Sequence, residues 1–311
     1  MTKTLTALAT IAILLAPTAL AETKTFPADD FNRIEVKGVM NVVYKTGPET
    51  KVVVETASGD FSDALILSEG DTLVVTREIV DKKRSWFSWG NSTNISRDGK
   101  TIKINGKKVP YYMVHVTGPD LEAVQVSQSS TFDSKTINAE DFSASASSSA
   151  SIKLAGNSGA TRLSASSSAE IHAKDLNAET LSLSASSSGE ATGTVTGTGE
   201  NSVDASSSGE ATVYSKGAGT FNVDASSGGD ANLSGACERI EISASSGADV
   251  DADELRCVTA KVNASSGADV DVYSNGMADG RASSGADIEF AGSPTQKESS
   301  KSSGGSVSFD N

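Results

Sequence analysis

The chain has 311 residues, of which 37% are hydrophobic and only 5% aromatic, and it carries a formal net charge of −14. So acidic a surface repels phosphate and argues against a nucleic-acid partner, and so few rings are thin material for a large globular core. The charge is unevenly placed: residues 22–121 hold 14 basic and 14 acidic side chains, whereas residues 122–311 hold 11 basic and 26 acidic ones.

Residues 1–21 predict a secretory signal. Lys3 supplies a positive start, Leu5 to Leu15 an apolar stretch, and Ala19-Leu20-Ala21 an A-x-A cleavage site. The apolar run is too short for a spanning helix. The expected mature chain begins at Glu22, without a lipid anchor or a transmembrane helix, and is exported to the periplasm or the cell surface.

Residues 22–121 predict a β-rich N-terminal part. Ile34-Glu35-Val36-Lys37 alternates apolar and polar until Gly38, and Lys51 to Glu55, Thr72 to Thr76, Thr101 to Ile104 and Tyr111 to Val116 follow as strands. Between them, Asp81 to Gly90 carries three consecutive cations and both tryptophans, Trp86 and Trp89. On a long loop these rings suit sugar stacking or a lipid head group. The other reading folds them over the end of the core as a plug.

From about Leu121 the chain repeats. The phrase Ala244-Ser245-Ser246-Gly247-Ala248-Asp249-Val250 returns at Ala264. Drifted copies start at Gln128, Ala146, Ala165, Ala185, Ala205, Ala225, Ala282 and Lys301, making ten copies 18–20 residues apart. Such a period marks a solenoid. Apolar residues two apart flank each phrase, for example Val223 before and Val250 after, as strands with one buried face require. We therefore expect an all-β fold: a right-handed parallel β-helix of about ten 18–20-residue coils over residues 122–311, preceded by the less regular part. The degenerate last coil, Lys301 to Asn311, reads either as a polar cap or as a disordered tail.

Three columns result. Five residues into each copy stand Asp133, Ser151, Glu170, Glu190, Glu210, Asp230, Asp249, Asp269 and Asp287. Stacked about 5 Å apart, such carboxylates repel by about 1 kcal/mol per pair in water. The column is therefore either a solvated edge that keeps the rod soluble or a weak ladder for a divalent cation such as Ca²⁺; no dedicated cofactor or metal site is expected. The second column is a serine pair, one member expected to point inward as a hydroxyl ladder and the other outward as a hydroxylated stripe. The third is Cys237 and Cys257, which stack on adjacent coils within disulfide reach; in an exported protein the bonded form is expected, two free thiols being the alternative. His115 and His172 lie 57 residues apart and give no metal signal.

The pattern Phe31-x-x-Ile34-x-Val36-x-Gly38-Val39-x-Asn41-Val42, the stretch Gly70 to Leu73, and Val116-Thr117-x-Pro119-x-Leu121-x-x-Val124-x-Val126 before the Ser-Ser-Gly repeats resemble the bacterial head GIN domain family. Its members are described as autotransporter adhesins. The resemblance covers nearly all of the mature chain and implies an exported β-helix without catalytic residues to carry over. Without a C-terminal translocator barrel, export through a pore of its own is not expected. Together these features predict a non-enzymatic binding and adhesion module presenting an acidic, serine-rich face to glycans or cell-envelope partners. The rivals are a polysaccharide-processing β-helix enzyme, which would need a local break in the repeat with paired carboxylates, and a purely structural envelope protein.

Overall fold

A computed structural model describes residues 21–78, 101–104 and 106–310. The leader before Ala21 and the segment bearing Trp86 and Trp89 lie outside the described residues. The N-terminal part contains β1 (Glu22–Phe26), β2 (Arg33–Val36), β3 (Asn41–Thr46), β4 (Lys51–Thr56), β5 (Ala64–Glu69), β6 (Thr72–Arg77), β7 (Thr101–Ile104), β8 (Lys107–Pro110), β9 (Met113–Gly118) and β10 (Ala123–Val126). The repeats supply long bent strands, β11 (Thr131–Ala146), β12 (Ser151–Ser166) and β13 (Glu170–Ser186), and then shorter ones, β14 (Glu190–Val195), β15 (Glu200–Ser206), β16 (Glu210–Ser215) and β17 (Thr220–Ser226). Long strands return as β18 (Asp230–Ser245), β19 (Asp249–Ser265) and β20 (Asp269–Ser283), and the chain closes with β21 (Asp287–Ala291), β22 (Gln296–Lys301) and β23 (Ser306–Phe309).

The repeats stack as a parallel solenoid. Ala146, Ala165, Ala185, Ala205, Ala225, Ala244, Ala264 and Ala282 pair in turn and form one column. About nine turns result, because ten corners enclose nine full circuits. The terminal coil is folded: β22 pairs with β20, and β23 with β21.

Each corner is a tight turn with two successive residues at positive φ. At one of them Ser246 has φ 58° and Gly247 68°, and the Ala248 amide donates to the Ser245 carbonyl at 3.3 Å. This is the type I′ requirement, which favours glycine and short polar residues. The Gly247 amide then donates forward to Ser266 O, and the Asp249 amide backward to Gly229 O, so every corner is also bonded to its neighbours.

The stack runs on into the N-terminal part. β10 lies on β2 and β11 on β3, with Val36 opposite Val126. Gly38 and Val39, at φ 82° and 60°, make another corner that contains no serine. A β-branched residue rarely tolerates that conformation. Here the fully buried Arg77 guanidinium holds it, donating to Gly38 O at 2.7 Å and Pro110 O at 2.8 Å while pairing with Asp63 at 2.9 Å. Antiparallel pairs β5–β6, β4–β9 and β1–β4 close this end.

The tube is lined by Ala, Val, Ile and Leu, and stacked rings reinforce its ends: Tyr44 on Phe132 with centroids 6.1 Å apart, and Phe290 on Phe309 at 5.1 Å. Burial pushes the Tyr44 and Tyr112 hydroxyls up to about 12, so both stay neutral. The Tyr44 hydroxyl donates to the Pro119 carbonyl and that of Tyr112 to Asp60 O.

Candidate functional site

The acidic column exists. Glu170, Glu190, Glu210, Asp230, Asp249, Asp269 and Asp287 pair in sequence along one outer face, between Ser151 and Ser306. All but the half-buried Glu190 are exposed. Asp133 is a correction: Thr131, not Asp133, faces Ser151, and Asp133 faces Lys153. The first copy begins at Val126 rather than Gln128. A slip of two residues keeps every side chain on the same face, so alternation alone does not detect it.

A second outer row runs two residues further along the same strands. It reads Asp133, Lys153, His172, Thr192, Thr212, Asn232, Asp251, Asp271 and Glu289. Its charge changes sign along the axis. At the C-terminal end it joins the first row to make a block of carboxylates: Asp249, Asp251, Asp269, Asp271, Asp287 and Glu289. Sequence reading followed only the sixth place of the phrase and missed this row; the Asp-Val-Asp of Asp249-Val250-Asp251 and Asp269-Val270-Asp271 is the signal that reveals it.

The block feels its own charge. Partial desolvation, then Asp269 and Asp230, push the Asp249 carboxyl above its ordinary range, and partial desolvation followed by Asp269, Asp251 and Asp253 does the same to Asp271. Asp251 rises through partial desolvation and its contact with Asp253. At its side, the Arg256 guanidinium lies over the Tyr273 ring at 4.3 Å. Among the described residues, no group of three or more His, Cys, Asp or Glu side chains converges as a metal cage.

The serine column differs from expectation. Because both central corner residues adopt positive φ, neither serine points inward: Ser245 is half-buried and Ser246 exposed, and the pairs from Ser147 to Ser284 repeat that pattern. Ser130, at the turn-closing place of the first copy, is instead buried and accepts from the Met40 amide at 3.2 Å. Backbone amides, not an inner hydroxyl ladder, tie the corners together. A coil-to-coil hydroxyl bond does occur, from Ser202 to Ser182 at 3.0 Å, but on a strand face. Cys237 and Cys257 stand in register, 4.5 Å apart at Cα, and are disulfide-bonded inside the core. The histidines lie apart, His115 against Glu55 at 3.2 Å and His172 against Glu170 at 3.3 Å.

A family model described as "Putative auto-transporter adhesin, head GIN domain" matches residues 30–219 and 218–294. No curated protein matches the sequence. Among solved structures, a putative adhesin from Parabacteroides merdae is similar at 14% identity and TM-score 0.48, over 94% of this chain and 98% of that one. A putative adhesin from Parabacteroides distasonis gives 14% and 0.45 over the same shares. A putative lipid binding protein from Parabacteroides distasonis gives 14% and 0.41, again over 94% and 98%.

Proposed function

Because the chain belongs to the head GIN domain family, we propose that it is an exported, non-enzymatic adhesion module whose acidic face engages cell-envelope partners or glycans. The observation that carries this reading is the row of stacked carboxylates, which a second row joins only in the late coils. It is exposed, set at coil spacing on a rigid scaffold, and continuous from Glu170 to Asp287. Such a face suits many weak contacts repeated along a polymer or a surface rather than one deep pocket. The folded terminal coil and the buried disulfide support work outside the cell, where disulfides persist. Among the described residues no helix is long and apolar enough to cross a membrane.

Divalent cations enter this reading as weak bridges between carboxylates and a partner, not as a resident cofactor. Adhesion of the mature protein to whole cells and to a glycan array, with and without Ca²⁺, tests the proposal. Binding weakened by Asp249→Asn/Asp271→Asn is expected. Clean negatives on both surfaces would sink it, and release of reducing ends from any polysaccharide would overturn its non-enzymatic part.

A further inference from the structure

Two concavities lie away from the acidic block, on the early coils. One, of about 500 Å³, follows the strands that lead into the serine corners, from Arg33 to Asn222. The other, of about 980 Å³, follows the preceding bend. Glu122 and Asp141 line both, so the two form one trough along the solenoid axis.

Each wall is a ladder. On one side Asn138, Asn157 and Asn177 stand in register. On the other the register runs Ser143, Arg162, Ser182, Ser202, Asn222. Between them the Asn201 side chain, 2% exposed, is fully engaged: its Oδ1 accepts from the Leu181 amide at 2.9 Å and its Nδ2 donates to Thr220 O at 3.1 Å. That makes the floor rigid. The rims differ. The Asn157 oxygen accepts from Asn177 Nδ2 at 3.4 Å, and its own amide nitrogen has no protein partner among the described residues. The exposed Arg162 guanidinium makes no ion pair among the described residues.

We infer that this trough is the seat of a linear glycan without net negative charge, lying along the axis across about four sugar rings. The inference rests on the reading of the chain as a binding module and moves its glycan contact from the acidic face to the early coils. Amides, hydroxyls and a guanidinium recur once per coil, about 4.8 Å apart, which is close to the length of one sugar ring. A peptide would need a free strand edge or apolar anchor pockets; the strands beneath are paired on both sides, and Phe142 and Leu181 in the lining are buried rather than open as pockets. A polyanionic glycan would meet Glu122, Asp141 and Glu200 against Arg162 and an Arg33 already paired with Asp71 at 3.4 Å. The ladders stop at the late coils: the amide row continues as Thr194, Tyr214 and Ser234, and Lys261 pairs with Glu241 at 3.4 Å across the hydroxyl row.

Titration calorimetry of the mature chain with cellohexaose, mannohexaose, xylohexaose and N-acetylchitohexaose, with hexagalacturonate as the acidic control, tests this. Saturable binding of at least one neutral hexamer is expected, weakened tenfold or more by Asn157→Ala/Arg162→Ala. Ser182→Trp, which fills the trough without removing either donor, should abolish it, and Lys103→Ala, at an exposed position of β7 away from both faces, should leave it unchanged. Circular dichroism reports the fold of each variant. No binding to any neutral hexamer, preference for hexagalacturonate, or binding that survives both Asn157→Ala/Arg162→Ala and Ser182→Trp would overturn the trough. Cell adhesion that survives the trough variants and hexamers that fail to bind would overturn it while leaving the adhesion reading standing.

Discussion

The early coils and the late coils build one backbone from different materials. From Ser129 to Ser208 the second positive-φ residue of each corner is serine, as at Ser149, Ser168 and Ser188; from Gly228 onward it is glycine, as at Gly247, Gly267 and Gly285. The residue that closes the turn also changes. It is a buried alanine at Ala169, Ala248, Ala268 and Ala286, but glycine at Gly189, Gly209 and Gly229. In those middle coils the inward place after the corner shrinks as well, to Ala191, Ala211 and Ala231, where other coils carry Ile171, Val250 or Val270. The middle coils are therefore lined by smaller side chains than the coils on either side. At the turn-closing glycines the backbone of the coil before stands where a side chain would be, at Gly305 in the last coil as at Gly209.

The sharpest way to break that contrast is Gly209→Ala. Its methyl group would overlap the Ala185 carbonyl in the coil before it, and backbone has little room to move. We expect a loss of about 3 kcal/mol or more, seen as a lower midpoint in denaturant. The same substitution at Gly247 meets open space, so its cost should be only conformational. Equal losses at the two sites would show that the Ala185 carbonyl gives way and that the close approach at Gly209 costs nothing.

Removing the disulfide tests whether the late coils need a staple. Its 20-residue loop predicts about 3 kcal/mol for Cys237→Ala/Cys257→Ala. Because each coil touches mainly its neighbours, unfolding should lose cooperativity, with amide exchange rising first around β18 and β19 and only later in β12 and β13. Uniform exchange would mean that the solenoid melts as one unit.

A smaller effect should follow from exchanging corners. Ser208→Gly relieves a left-handed serine and should stabilise by about 1 kcal/mol; Gly247→Ser should cost about as much. Melting temperatures of the pair check both signs at once. If both fall, side-chain contacts rather than φ decide corner identity.

How far these contrasts are legible in the sequence depends on what the pattern encodes. A period of 18–20 residues and alternating apolar places fix the solenoid, because only in-register stacking lets every copy bury the same face. The cysteine pair follows from that register without further information. Orientation at the corner does not follow: strand alternation was carried through Ser245-Ser246, yet two positive-φ residues interrupt it, and both side chains turn outward. The start of the stack was hidden too, since Val36-Lys37-Gly38-Val39-Met40 makes the corner without serine and relies on Arg77, far along the chain. The trough joins residues from Arg33 to Asn222 through concavity, which no local spacing expresses.

The last contrast is electrostatic. Early in the second outer row stand Lys153 and His172; late in it stand Asp251, Asp271 and Glu289, beside Asp249, Asp269 and Asp287. Asp249, Asp251 and Asp271 are held above their ordinary value of 3.8. The native state therefore binds protons more readily than the unfolded chain, and stability falls as pH rises through the interval between that value and the raised ones. Lowering pH from neutral toward 4 should then raise the melting temperature of the late coils until other carboxylates begin to titrate. Asp251→Asn/Asp271→Asn should stabilise by at most about 1 kcal/mol, the scale of one solvated like-charge pair, and should flatten that slope. Added salt should act in the same direction by screening. A native protein less stable at pH 5 than at pH 7, with a slope the double variant leaves unchanged, would show that the block is fully relaxed in water and that its repulsion is not what a partner or cation would relieve.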